Sequence, residues 1–177
     1  MTIEMSQGGH WGHFPYAPNY TEDRTNNGGI DLTKEPHRID EIHELEGLPR
    51  IKDALVSLNS NKTPFMTTGF IHERVDENSL YYGNLEFCFK PEINFTQVNV
   101  QSLDELFIGY LLSKHGQQFA DFYQTEFHWE MHVGTVHESP PIPVFSIYYR
   151  SRFHKETEEI LLLVFAWLQT DFQYLVA

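Results

Sequence analysis

From Thr125 to Val133 the chain alternates polar and apolar residues without a break. Side chains along a strand point to opposite faces in turn. Glu126, His128, Glu130 and His132 are therefore expected on one face, and Phe127, Trp129, Met131 and Val133 on the other, toward the core. The run from Pro143 to Phe153 alternates as well, with Phe145, Ile147 and Tyr149 inward and Ser146, Tyr148, Arg150 and Arg152 outward. Together the two runs predict a hairpin with a Pro-containing connection. Symmetry about Ser139 would set Glu126 opposite Arg152, His128 opposite Arg150, Glu130 opposite Tyr148 and His132 opposite Ser146. Every pair then matches in polarity, which is the condition for a stable register.

The same reading extends to the rest of the chain. Ile51, Ala54, Leu55 and Leu58 recur at helical spacing behind Pro49, a residue suited to a first helical position. Phe65 to Val75 and Leu80 to Lys90 read as a second hairpin, turning at Asp76, Glu77, Asn78 and Ser79. In its second strand Leu85, Phe87 and Phe89 face the core, while Asn84, Glu86 and Cys88 face away. Its first strand alternates too poorly for its faces to be assigned. Ser102 and Glu105 form a capping box ahead of Leu103, Leu106, Phe107, Tyr110 and Leu111, which follow on one helical face, and Gly116 marks the helix end. The segment from Glu156 to Thr170 is apolar nearly all round, which predicts a helix buried centrally or in an oligomer interface.

Residues 1–37 break every period with glycines and prolines, yet carry Trp11, Phe14, Tyr16 and Tyr20. They read as an irregular aromatic arm that packs on the domain or on a second subunit. The expected fold is thus α+β, with a single domain over 38–177. It has an antiparallel sheet of about four strands in two hairpins, with helices packed on one face, in the order α-ββ-α-ββ-α. This layout on an acidic chain resembles that of small secretion chaperones of bacteria. The resemblance implies a homodimer that holds segments of a partner.

Composition narrows the function. Of 177 residues, 41% are hydrophobic and 15% aromatic, enough to bury a sizeable core. The net charge of −13 disfavours nucleic acid and anionic membrane surfaces, whose phosphates need cations. It favours a basic protein partner, or serves solubility alone. Cys88 is the single cysteine, so neither an internal disulfide nor a Cys zinc cluster is available. Glu86 beside it disfavours a thiolate. The apolar run Ile160 to Leu168 is too short to span a bilayer, which needs about 20 residues. The first residues lack a signal-peptide pattern, so a cytoplasmic protein is expected.

The chemistry concentrates on the polar face of the expected sheet. Tyr82, Glu86, Glu126, His128, Glu130, His132, Tyr148, Arg150 and Arg152 would share it. Tyr and Arg are residue types that dominate binding energy at interfaces, so the face reads as a non-catalytic recognition surface for a protein. The bland reading is a solvated face with weak cross-strand charge pairs. The alternative is a small enzyme in which His128, flanked by Glu130, acts as general base, since imidazole suits proton transfer near neutral pH. A metal-dependent variant would need a further ligand such as His72 or His154. Two residues on a strand are about 7 Å apart per alternate step, so His128 and His132 cannot share one ion, and no metal or cofactor is expected. His10 and His13 in the arm are too weak a pair to assign. No phosphate-binding loop, nucleophile elbow or zinc-protease motif is present.

Overall fold

A computed structural model describes residues 4–21, 24–26, 28–60, 62–75, 80–93 and 103–170, with side chains from 12–18 and from 28 onward. The expected turn at 76–79 and the capping residue Ser102 lie outside the described residues. Alternation translates directly into a sheet. Its strands, in spatial order, are β1 (Glu4–Phe14), β6 (Phe127–Val136), β7 (Ile142–Ser151), β5 (Tyr81–Phe89) and β4 (Phe65–Arg74). β6, β7, β5 and β4 pair antiparallel in turn, whereas β1 runs parallel to β6. Two short strands, β2 (Asn19–Thr21) and β3 (Arg24–Asn26), pair separately.

The sheet therefore has five strands and is mixed, not four strands and antiparallel. The expected irregular arm supplies the fifth. Its glycines mask any alternation, but β1 gains its hydrogen bonds from β6, where partners are distant in sequence. Two register shifts interrupt that pairing, between Met5 and His10 and between His10 and Gly12.

Helices α1 (Pro49–Leu58), α2 (Leu103–Lys114), α3 (Gln117–Glu126) and α4 (His154–Thr170) cover one face of the sheet. Phe87, Trp129 and Phe145 form a knot of rings at its centre, with centroids 5.4–6.4 Å apart. Ile51, Leu55, Phe107, Ile160, Val164 and Phe165 close over them, each at most 2% exposed. Burying a side chain of this size contributes about 1.5–3 kcal/mol. The apolar girth of α4 is used inside the chain, against α1, α2 and β7.

α3 was not expected. The residues assigned to the start of a strand, Thr125 and Glu126, end this helix instead. Gly116, at φ +92°, reverses the chain between α2 and α3. Between the arm and α1 the chain forms two 3-10 turns, Pro36–Glu41 and His43–Leu45.

The opposite face of the sheet, here the outer face, carries a second, smaller apolar cluster at one end. Phe14, Met66, Cys88, Val136, Ile142 and Val144 compose it. Phe14 comes from the end of β1, so part of the arm folds over this face as expected. The side chains of Trp11 and Tyr20 lie outside the described ones.

Candidate functional site

Beyond the small cluster the outer face turns polar, and the ladder sets its side chains in rows. Glu130, Ser146, Glu86 and Gly69 form one row, and His128, Tyr148, Asn84 and Ile71 the next. A third holds Arg150, Tyr82 and Glu73. Alternation thus placed Tyr82, Glu86, His128, Glu130, Tyr148 and Arg150 together correctly. The register differs: His128 faces Tyr148 and Glu130 faces Ser146. The hairpin is centred on Glu138, one residue before Ser139. A shift of two residues preserves every face, which is why the polarity match survived.

Three of the expected residues leave the group. Glu126 is the last residue of α3, and exposed Arg152 lies just beyond β7, so the expected pair between them does not form. His132 belongs to the row of Val144, Cys88 and Met66, beside the small cluster, and its side chain is only 10% exposed. Its Nε2 lies 3.4 Å from Glu130 Oε2 but outside hydrogen-bonding geometry. His13 is exposed, and the His10 side chain lies outside the described ones.

Within the group, the His128 ring stacks on Tyr148 at 5.2 Å and 17°. Its Nε2 is 3.5 Å from Glu130 Oε1. Burial, then the carboxylates of Glu130 and Glu86, push the Tyr148 phenol upward. The Tyr82 hydroxyl donates to Glu73 at 2.6 Å. Glu86 Oε1 accepts from Asn84 at 3.2 Å and from Ser146 at 3.3 Å. Arg150 is exposed and makes no ion pair among the described residues.

Tertiary contacts add a feature that alternation could not supply. A cavity of about 490 Å3 opens where β4 ends the sheet, walled by segments 28–32 and 41–44. Its charged lining residues are Glu41, Glu44, Glu73 and Glu86; among the described residues no Lys, Arg or His lines it. Arg38 holds Glu41 at 2.8 Å. Gly69 shapes the floor. A Cβ there would meet Glu86 Oε2 at 2.7 Å, so only glycine leaves room for that carboxylate to lie across the strand. The preceding residue, Thr68, is a bulge: Thr67 pairs with Phe87 and Gly69 with Glu86. A lone glycine inside a strand pattern is the signal that could have marked this site.

Cys88 sits on the outer face as expected, but within the apolar cluster. Burial pushes its thiol up to about 12, so it is inert. His72 and His154 lie on the helix side of the sheet, with rings 5.2 Å apart, and cannot join His128. Among the described residues no three His, Cys, Asp or Glu side chains are grouped to hold a metal ion, and no helix is long and apolar enough to cross a membrane. The fold and site define an α+β protein with a mixed sheet that leaves one polar face uncovered by helices. Comparison with family models, curated proteins and solved structures found no match to this chain.

Proposed function

We propose that this chain is a non-catalytic binding protein that engages a basic protein partner through the outer face of its sheet. One observation carries the reading. Tyr82, Tyr148, His128 and Arg150 share a face with Glu86, Glu130 and Glu73, beside a cavity whose charged lining is wholly acidic. Aromatic residues supply contact area at low entropic cost, and the carboxylates select cations. A net charge of −13 adds long-range attraction for such a partner.

The enzyme reading has less support. His128 is 55% exposed, and the cavity includes neither it nor Glu130. Catalytic bases usually work in enclosed pockets.

The test uses labelled polylysine and polyglutamate as probes, with affinity measured from low to high salt. Polylysine should bind with a steep salt dependence and polyglutamate not at all. Glu130→Gln with Tyr148→Ala should weaken polylysine binding more than Asp53→Asn, which removes one charge from the exposed side of α1. Equal effects would reduce the interaction to bulk charge and end the proposal.

A further inference from the structure

The cavity lies against an open strand edge. It touches consecutive residues from Thr67 to Ile71, whose side chains belong to both sheet faces, and a space reaching both faces must lie at the strand's rim. The first half of that rim is closed. Asn59 covers it by accepting from the Thr67 N–H at 2.9 Å and donating to the Thr67 hydroxyl at 2.8 Å. The second half is not closed in this way. Burial runs unbroken from Phe65 to Thr68 and gives way to exposure at Ile71, Glu73 and Arg74.

The ladder shows which backbone groups point outward. Val75 N–H bonds Leu80 C=O at 2.8 Å. In an antiparallel pair, hydrogen-bonded and non-bonded positions alternate. Counting back from Val75, the N–H and C=O of Phe70 and His72 face away from β5, toward the open side. An edge of this kind is a template for another strand. Thr68 adds a second sign of incompleteness. It is 2% exposed, contributes to the cavity wall, and its hydroxyl has no partner.

We infer that an extended segment of the partner, bearing lysine or arginine at alternate positions, adds to β4 as a sixth strand. The inference rests on the basic-partner reading above. Charge complementarity selects this occupant. A side chain set opposite Gly69 meets the Glu86 carboxylate, which the absent Cβ leaves within reach of the edge. Glu44 and Glu73 flank it, while exposed Ile71 and Tyr82 offer an apolar shelf on the outer face. Residues of the opposite parity would rest beside Phe70 and Leu55. A residue in a sheet occupies about 160 Å3, the product of rise, strand spacing and sheet spacing. The cavity of about 490 Å3 therefore takes about three residues. A second copy of this chain, at −13, lacks the complementary charge.

The probe is a labelled peptide of alternating arginine and valine, measured by fluorescence anisotropy. Its counterparts are the same peptide with backbone N-methyl groups on alternate residues, and a glutamate–valine peptide. N-methylation removes strand hydrogen bonds but keeps the charge. It should weaken binding about tenfold or more, and the glutamate peptide should not bind. Glu86→Gln should weaken the arginine peptide by about tenfold, because a charged hydrogen bond is lost. Gly69→Ala, which displaces that carboxylate by its flexible end, should do the same with the fold intact by circular dichroism.

Asp53→Asn, which removes a charge from the exposed side of α1, should leave the peptide unaffected. Equal affinity for the N-methylated peptide, or indifference to both Glu86→Gln and Gly69→Ala, would overturn strand addition. If polylysine binding still responded to Glu130 and Tyr148, the broader reading would survive that loss. A concentration-dependent dimer that the peptide does not displace would assign the edge to a second copy instead.

Discussion

His72 shows how one residue ties stability to pH. Its ring stacks on Tyr81 at 5.2 Å, and His154 meets it edge-on at the same distance. Nδ1 lies 2.8 Å from the Tyr149 hydroxyl, which itself donates to Ile71 C=O at 2.9 Å. Nδ1 must then carry the proton, and Nε2 is left as a buried lone pair without a partner. Burial, and then the neighbouring His154, lower the imidazole to about 4 from 6.5. Between those values the unfolded chain takes up a proton that the folded chain refuses. Stability should therefore fall as pH drops from about 6.5 to about 4 and level off below. Urea titrations across this range test it: His72→Phe should flatten part of the slope, and an unchanged slope would remove His72 as the cause. A second buried group, Asp104, is satisfied differently. Tyr123 donates to it at 2.6 Å and accepts from Trp129 Nε1, which joins α2, α3 and β6 through one hydroxyl.

At the scale of elements, β1 is the piece whose place depends most on contacts remote in sequence. Its far end is pinned twice. Phe14 is 1% exposed in the outer-face cluster, and its C=O accepts from His137 N–H at 2.6 Å. His137 Nε2 in turn lies 2.7 Å from Asp31 Oδ2. Burial opposes ionisation of Asp31, but hydrogen bonds from Thr33 and His137 hold its carboxyl below the usual range. Phe14→Ala should cost about 3–5 kcal/mol through the cavity it leaves. Hydrogen exchange should then show β1 opening from β6 before the other strand pairs, whereas exposed His13→Ala should change little. Equal loss of protection across the sheet would show that β1 is not a separate unit of stability. The faces of β5, β6 and β7 were legible because each alternates along most of its length, although Val133, expected toward the core, is 40% exposed near the end of β6. Those of β4 were not, because the bulge at Thr68 inverts the alternation midway, so that Phe65 and Phe70 share a face. α3 was missed because its last two residues continue the alternation of β6 backward.

For the whole molecule, charge is the dominant global property. A net charge of −13 repels itself in the compact state, and the ion pairs among the described residues are mostly at the surface, where each contributes little. Salt screens such repulsion over a Debye length of about 10 Å at 0.1 M. The melting temperature should therefore rise as sodium chloride is added at neutral pH. A fall would mean that attractive pairs such as Arg50–Glu159 outweigh the self-repulsion. The expected homodimer is a separate proposal, and sedimentation at several protein concentrations tests it. The apolar α4 gives it no special support, since that helix is buried within a single chain.

Local periodicity was enough to determine the α+β class, the inward faces of three strands, the inner face of α1, the burial of α4, and the polar group from Tyr82 to Arg150. Those features follow from a side chain's direction, which repeats every two residues in a strand and every 3.6 in a helix. Tertiary structure alone decided that the arm becomes a parallel fifth strand, that Cys88 sinks into a second cluster with His132 beside it, and that an acidic cavity opens beside Gly69. Each of these joins residues far apart in the chain. A pattern of neighbours carries no information about which distant surface a strand edge will meet.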